Sequence, residues 1–350
     1  MTMRTLYVVL RVIHLLNPLY RYILRKNMSQ KSRYMSVFSV INIPKLAVIG
    51  CLSLWGVMAS PAWSQYAPHQ LPPGDLELSN TPQFIILSFD DNNSYDRVQW
   101  LVDSLSKFNN PIGGANSDTF DGQKVPAVWF NISETNSSTQ SKAVMTAAAN
   151  LGHEIANHTA THNRSTNGFL QSKSTWENEI IPGIALITLD APRGLGLNKD
   201  RLGGFRAPRL ETNDNMYQVL SDFQFTYDSS LEDGFQDSVI GTSFFWPYKL
   251  DNAGGEGWEE LIAMAQEGGN PNIVREPLNQ YPEIWEIPIS PYMVPDSLDA
   301  IMALRQSWHT LGSKKITGFD YNIFTLMTLN TTDMGEIMKY TLDKRLEGNR

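Results

Sequence analysis

Residues 84–91 have the sequence FIILSFDD, an apolar run that ends in two adjacent aspartates. A short apolar run of this kind predicts a buried strand at 84–87. The apolar residues between Val98 and Phe108 then recur at helical spacing, which predicts a helix after the strand. We therefore expect the carboxyl groups of Asp90 and Asp91 at the point where a strand gives way to a helix.

The same alternation of strand and helix continues along the chain. Further strands are predicted at 127–130, 154–156, 204–206, 225–227 and 284–287, and further helices at 138–151, 175–189, 214–223 and 333–346. We expect Pro182 and Gly183 to interrupt the helix at 175–189, and the Gly-rich segments 190–203 and 230–283 to form loops over a site. This alternation predicts the α/β class, with a mostly parallel sheet or a barrel.

Polar side chains suited to chemistry follow several of the predicted strands. Asp90 and Asp91 come after the first strand, His158 after the third, Arg206 near the fourth and Asp228 after the fifth. In a (β/α) barrel the carboxyl ends of the strands share one face, and active sites are built there. The sequence therefore predicts that these side chains meet at one site.

The sequence HTATH places His158 and His162 four residues apart. On a helical turn the two imidazoles would share a face and could bind one metal ion, whereas two ordinary surface histidines are the alternative. Catalytic zinc has three protein ligands and one open position, and a carboxylate suits the third place. Adjacent strand-end carboxylates point in different directions, so one of Asp90 and Asp91 can bind the metal while the other acts as a general base. A solvated turn or a helix cap is the other interpretation of the aspartate pair.

The charge distribution limits the classes of partner. The chain has 28 basic and 36 acidic residues, and residues 1–64 contain eight of the basic ones and no Asp or Glu. The remainder, 65–350, therefore has a net charge of −16. A body this acidic repels phosphate backbones, so we expect no nucleic-acid partner. Cys51 is the only cysteine, which excludes disulfide scaffolds and cysteine zinc sites.

The first 64 residues have the pattern of a signal peptide. The uncharged apolar run LAVIGCLSLWGVMA at 46–59 follows Lys45 and ends in small residues. It is shorter than the roughly 20 residues of a membrane-spanning helix, so no stable membrane span is expected. An uncleaved anchor is the alternative, and Met28 or Met35 is a possible true start. Residues 65–81 are predicted to be a linker, and the protein is expected to be secreted or periplasmic.

Several motifs together resemble one enzyme family. SFDD at 88–91, GHEIANHTATHN at 152–163 and FRAP at 205–208 resemble the NodB-type polysaccharide deacetylases, carbohydrate esterase family 4. FDDNN at 89–93, YDSS at 227–230 and FFWPYKLD at 244–251 look closest to chitin deacetylase-like proteins. The resemblance covers about residues 82–350, and it implies a single domain there. It also implies a distorted (β/α) barrel that removes N-acetyl groups from GlcNAc-containing polysaccharide with a divalent metal, usually zinc.

The resemblance also implies a role for each matching residue. Asp91, His158 and His162 match the metal ligands, and Asp90 matches the catalytic base. Three more matches complete the set: Arg206 to the residue that orients the base, Asp228 to the carboxylate that supports a catalytic histidine, and Trp246 to the wall of the acetyl pocket.

Two features depart from the family pattern. The position after Pro208, usually aromatic, is Arg209, which we expect to contact either the substrate or an acidic neighbour. The strand that carries the catalytic histidine is not found, because His309 follows a probable helix and the chain stops soon after the helix at 333–346. We therefore expect a barrel that lacks its closing strand, in a chain that is C-terminally incomplete.

These departures leave three functions open. The first is a metal-dependent deacetylase of chitin-like polysaccharide that releases acetate. The second is a catalytically impaired homologue that binds carbohydrate without cleaving it, and the absent histidine favours this alternative. The third is an amidohydrolase that acts on small N-acyl compounds. Acetate release, metal content and chain-length dependence distinguish the three.

Overall fold

The computed structural model describes residues 7–8, 72, 76–77, 81, 84–113, 120–163, 168–197, 203–231, 246–251, 279–298, 315–316 and 328–347. The predicted signal peptide and linker therefore lie almost wholly outside the described residues, and their assignment stays a prediction. The predicted loops at 190–203 and 230–283 lie partly outside them.

Strands and helices alternate through the described part of the chain, as the sequence predicts. The strands are β1 (Tyr7–Val8), β2 (Phe84–Ile85), β3 (Ser88–Phe89), β4 (Val128–Asn131), β5 (Glu154–Asn157), β6 (Gly204–Phe205), β7 (Tyr227–Asp228), β8 (Tyr248–Leu250), β9 (Tyr281–Glu286), β10 (Tyr292–Met293) and β11 (Lys315–Ile316). The α-helices are α1 (Tyr95–Leu105), α2 (Thr139–Asn150), α3 (Lys173–Thr188), α4 (Asp214–Asp222) and α5 (Thr331–Glu347).

Seven strands form the main sheet in the order β3-β4-β5-β6-β7-β9-β8. Every neighbouring pair is parallel except β8 and β9, which run antiparallel. The chain is therefore an α/β protein with a mostly parallel sheet, which confirms the predicted fold class. Among the described strands, β3 and β8 are the edges of this sheet, and the absence of a closing strand stays a prediction.

Two elements differ from their sequence-based boundaries. The strand predicted at 84–87 is wrong, because β2 and β3 are separate short strands; β2 pairs with β1, and β3 pairs with β4. The predicted break at Pro182 and Gly183 is also wrong, because α3 continues through both residues. Burial of Ile180 and Ile187 in the core holds this helix together, so packing overrides the local helix-breaking tendency.

The core fills the space between the main sheet and its helices. Its largest fully buried side chains include Trp129, Trp176, Tyr217, Phe130 and Phe205. A second, smaller apolar cluster, formed by Val294, Leu298, Ile316, Leu329 and Ile337, packs α5 against β10 and β11. Within the described residues, no helix is both long enough and apolar enough to cross a membrane. The parallel strands all point their carboxyl ends to the same end of the main sheet, and the predicted site residues lie at that end.

Candidate metal centre

His158 and His162 lie on an irregular loop that follows β5. They do not lie on a helical turn, because Thr159 and His162 have φ of 69° and 50°, in the left-handed region. The Asn157 side chain shapes the start of the loop: its Oδ1 accepts from the Thr159 backbone N–H at 2.9 Å. The Thr159 hydroxyl in turn accepts from the His162 backbone N–H at 3.2 Å. The loop therefore brings the two rings together, with 5.1 Å between their centroids.

Asp91 reaches the histidines because the chain turns sharply after β3. Asp91 and Asn92 both have positive φ, 63° and 51°, and the Asn92 backbone N–H donates to the Asp90 carbonyl at 2.7 Å. The Asn92 side chain holds this turn by donating to the carbonyls of Phe89 and Phe130. The two aspartates consequently face different partners, in agreement with the sequence-based expectation.

One ligand atom from each of Asp91, His158 and His162 lies within 4.8 Å of the other two. The Asp91 Oδ1 atom is 3.5 Å from Nε2 of both histidines. Nδ1 of His158 lies 2.7 Å from the Arg206 carbonyl, to which it donates, so the lone pair of the neutral ring is on Nε2. Because that lone pair faces a carboxylate oxygen, a cation between them satisfies both atoms. The donor set therefore fits a divalent metal ion.

Asp90 lies beside this group and pairs with Arg206. The Asp90 Oδ1 atom accepts from Nη1 of Arg206 at 2.7 Å. The arginine side chain is 8% exposed, whereas the Asp90 carboxyl group is 41% exposed. One carboxylate oxygen of Asp90 is therefore fixed by Arg206, while the carboxyl group remains open to water and ligands.

Arg206 is held from several directions. Its Nε donates to the Ser229 carbonyl at 2.8 Å and its Nη2 to the Ser229 hydroxyl at 2.9 Å. Nη1 also donates to the Ser88 hydroxyl, and the guanidinium carbon lies 4.1 Å from the centre of the Phe130 ring. The arginine is thus a rigid connection between the ends of β3, β6 and β7.

Asp228 lies inside the protein, behind Arg206. It is fully buried and accepts from the Ser230 hydroxyl at 2.6 Å and from the Tyr217 hydroxyl at 3.1 Å. It is also hydrogen-bonded to Glu286, its partner in the β7–β9 register. Burial raises the pKa of Asp228 from 3.8 to about 6. Asp228 therefore stabilises the segment 228–230, and Ser229 in this segment accepts the hydrogen bonds from Arg206.

The two predicted substrate-binding residues lie in different surroundings. Arg209, which has φ of 56°, forms an ion pair with Glu211 at 2.9 Å. Of the two contacts expected for Arg209, the structure thus contains the one with an acidic neighbour. The pair lines a small surface cleft together with Thr159 and Asn163, the neighbours of the histidine ligands. Trp246 is half-buried, and no described contact joins it to the metal-binding residues.

His153 has a structural role, as its position before β5 indicates. It is buried, and its Nδ1 accepts from the Ala127 backbone N–H at 3.0 Å. Burial lowers the pKa of its imidazole. The ring is therefore neutral, with its proton on Nε2.

Sequence reasoning missed the residues that support the histidine loop. Glu179 of α3 is 9% exposed and accepts two hydrogen bonds from Thr161, which lies within the loop. Asn157 also contacts α3, by donating to the Ile180 carbonyl at 2.9 Å. Glu179 lies on the core side of its helix beside Ile180, and a charged residue at that position was the available signal.

Comparisons with known proteins agree with this geometry. Residues 78–227 match the sequence profile of the polysaccharide deacetylase family. Chitin deacetylase 8 of Bombyx mori is 26% identical over 180 residues, which are 51% of this chain and 42% of that protein. The chain therefore spans less than half the length of this relative. Residues 78–227 are therefore similar to the polysaccharide deacetylase family, and the chain is a distant relative of a chitin deacetylase.

Two solved structures are similar to the chain at lower identity. A family 4 carbohydrate esterase from Streptomyces lividans, solved with acetate, is 19% identical, with 57% of this chain and 79% of that chain covered and a TM-score of 0.29. A family 4 acetyl xylan esterase from Clostridium thermocellum, solved with a cobalt ion, is 20% identical, with 46% and 65% covered and a TM-score of 0.30.

Proposed function

We propose that this protein is a metal-dependent deacetylase that hydrolyses N-acetyl groups of GlcNAc-containing polysaccharide such as chitin and releases acetate. The observation that carries the proposal is the pairing of two groups at one sheet edge. Asp91, His158 and His162 form a three-ligand cluster, and Asp90 lies beside it in an ion pair with Arg206. The match of residues 78–227 to the polysaccharide deacetylase family supports the same reaction class.

Asp91, His158 and His162 are the proposed ligands of a zinc ion. Two imidazoles and one carboxylate are a donor set used by catalytic zinc, which keeps a further position open. When bound, such an ion polarises the amide carbonyl and lowers the pKa of water. The hydrogen bond from His158 Nδ1 to the Arg206 carbonyl orients that ring and fixes its tautomer.

Asp90 is the proposed general base. Its exposed carboxylate accepts the proton of the attacking water, and Arg206 keeps the acceptor oxygens in a fixed orientation. Because Arg206 is hydrogen-bonded to Ser229, the guanidinium group that binds the base cannot rotate freely. Asp228 contributes from further inside, as a buried support of the segment that holds Arg206.

The substrate contacts are proposed from the cleft and from the chain's charge. An acidic body disfavours anionic polymers, and an uncharged N-acetylated glycan meets no such repulsion. Arg209 lines the cleft beside the metal ligands, where its exposed guanidinium can donate to sugar hydroxyls. Trp246 is proposed as an apolar surface for the acetyl methyl group. A polysaccharide of this kind is extracellular, in agreement with the proposed signal peptide at 1–64.

Acetate release from chitooligosaccharides tests the proposal. The purified protein should release acetate, a chelator should stop the release, and added Zn²⁺ should restore it. Zinc binding without acetate release from any N-acetylated glycan would contradict the proposal and support a carbohydrate-binding homologue instead. Equal rates on a short N-acyl compound and on long oligosaccharides would point to a small-molecule amidohydrolase.

A further inference from the structure

The shape of the histidine loop depends on contacts from outside the loop. It has no regular secondary structure, and Thr159 and His162 both adopt left-handed backbone conformations that cost free energy in non-glycine residues. From the β4 side, the backbone N–H groups of Ser133 and Glu134 donate to the carbonyls of Thr159 and Ala160. These bonds fix the backbone at Thr159 and Ala160. The backbone that leads from there to His162 is held by other groups.

Glu179 holds the second half of the loop by contacting Thr161. Its Oε2 accepts from the Thr161 backbone N–H at 3.0 Å, and its Oε1 accepts from the Thr161 hydroxyl at 2.8 Å. Both carboxylate oxygens therefore bind the residue that immediately precedes His162. The side chain is 9% exposed and belongs to α3, which is anchored in the core. Hydrogen bonds to a carboxylate are stronger than neutral ones, so this two-point contact resists rotation of the loop.

We propose that Glu179 is a positioning residue of the metal centre, which holds the histidine loop so that His162 meets the ion already oriented. This inference rests on the metal site of the proposed function. Residues beyond the ligands that orient a metal site typically contribute 10–100-fold to metal affinity, and Glu179 acts in this way through Thr161. Without it, the second half of the loop, around Thr161 and His162, is ordered only when the ion binds, and the free-energy cost of that ordering weakens affinity.

The test is Zn²⁺ affinity, measured by competition with a chromogenic chelator on the full chain. Glu179→Gln keeps the side-chain shape but removes the charge and replaces one acceptor with an amide donor. Glu177→Gln is the matched control, because Glu177 lies on the same helix and acts electrostatically on Lys173 at the helix start. Visible absorption of the Co²⁺ complex reports the ligand geometry in each variant.

We expect Glu179→Gln to weaken Zn²⁺ binding about tenfold and to change the Co²⁺ spectrum, and Glu177→Gln to change neither. The metal-free proteins are compared by urea unfolding, so that a general loss of folding is distinguished from a loss of loop position. Equal Zn²⁺ affinity of the two variants, within about twofold, would overturn the inference while leaving the proposed function intact. A wild-type chain that binds Zn²⁺ but releases no acetate would end the proposed function and leave the affinity comparison valid.

Thr161→Val gives a second route if Glu179→Gln does not fold. It removes the hydroxyl that donates to Oε1 and keeps the backbone bond to Oε2. Thr161→Val alone should weaken Zn²⁺ binding relative to wild type, and unchanged affinity would overturn the inference if Glu179→Gln does not fold. Where Glu179→Gln folds, we expect the smaller loss in Thr161→Val and no additional loss from the hydroxyl in the double variant, since contacting residues are not additive. Independent, additive effects would contradict a role of Glu179 through Thr161.

Discussion

Asp90 and Asp91 are adjacent in the chain, yet their carboxylates have different partners. Asp91 faces two imidazoles at 3.5 Å, and Asp90 faces the Arg206 guanidinium at 2.7 Å. The left-handed backbone at Asp91 and Asn92 produces this divergence, and the Asn92 side chain stabilises it. A metal ligand and a base can therefore come from consecutive positions.

Asp90→Asn should abolish most of the activity and leave metal binding intact. The amide cannot take a proton from water, and removing a general base typically costs 10²–10⁴-fold, so we expect kcat to fall at least about 100-fold. Zinc affinity should stay within about threefold of wild type, because Asp91, His158 and His162 are unchanged. Asp103→Asn on the exposed face of α1 is the control, and should alter neither quantity. Retention of wild-type kcat in Asp90→Asn would show that Asp90 is not the base.

Asp228 should make folding stability depend on pH. Burial raises its pKa from 3.8 to about 6, so between these values the folded protein holds a proton that the unfolded chain has released. Its contribution to the free energy of unfolding is therefore present below pH 4 and is lost as the pH rises through 6. From pH 5 to 7 we expect wild type to lose about 1 kcal/mol relative to Asp228→Asn.

Urea unfolding of both proteins across this pH range measures that difference. The buried His153 has a lowered pKa and contributes with the opposite sign, but it is present in both proteins and cancels in the comparison. Tyr217 also remains in both, whereas Glu286 shares a hydrogen bond with Asp228, so the difference reports the titration of the Asp228–Glu286 pair. Parallel stability curves for wild type and Asp228→Asn would contradict a raised pKa at this position.

At the scale of elements, α3 contributes both packing and site geometry. Its apolar side packs into the core through Trp176, Ile180 and Ile187, and its Glu179 reaches the histidine loop. A Cβ at Gly183 would lie 2.5 Å from the side-chain amide of Asn157, which is fully buried. The glycine therefore permits α3 to approach β5 closely enough for these contacts.

Gly183→Ala should destabilise the protein and weaken metal binding. The added methyl group collides with the fully buried side chain of Asn157, so we expect a loss of about 1–3 kcal/mol in the free energy of unfolding. Gly335→Ala in α5 is the matched control, because a Cβ there has no atom within 4 Å. It should stabilise the protein by about 0.4–1 kcal/mol. Equal unfolding midpoints for the two variants would contradict the close approach of α3 to Asn157.

The sequence predicts the elements better than it predicts the connections between them. Apolar runs and helical spacing depend on local sequence, so the central strands and helices lie within a few residues of their predicted positions. The order of polar residues after strands also predicted that Asp90, Asp91, His158 and Arg206 meet, because parallel strands place their carboxyl ends along one edge. This much follows from periodicity and from the topology it implies.

The loop geometry could not be predicted because it depends on distant residues. The left-handed conformations in the histidine loop are stabilised by Asn157 of β5, Ser133 of the turn after β4 and Glu179 of α3. The spacing of the two histidines is compatible with a helical turn, but tertiary hydrogen bonds hold these residues in an irregular loop. The contact between Asp228 and Glu286 likewise joins positions far apart in the chain, and only the sheet register places them together.

The whole molecule combines a buried scaffold with a site on its surface. The main sheet and its helices bury the aromatic core, and the small cluster around α5 is separate from it. The site groups are attached to this scaffold by contacts with Phe130 of β4, with Ser229 directly after β7 and with Glu179 of α3. A ligand that binds the assembled site should therefore stabilise the entire fold.

Zinc should raise the thermal unfolding temperature of the wild-type protein. A ligand that binds only the folded state at 100 times its Kd adds about 2.7 kcal/mol to the free energy of unfolding. His162→Ala, which removes one proposed ligand, should show little of this stabilisation. Scanning calorimetry with and without Zn²⁺ measures both proteins, and equal stabilisation would place zinc elsewhere on the chain.

Anomalous scattering at the zinc absorption edge, from crystals grown with Zn²⁺, tests the metal centre most directly. The account predicts one strong peak, about 2.0–2.2 Å from a carboxylate oxygen of Asp91 and from Nε2 of His158 and His162. A map with no peak between these three side chains at saturating Zn²⁺ would contradict it.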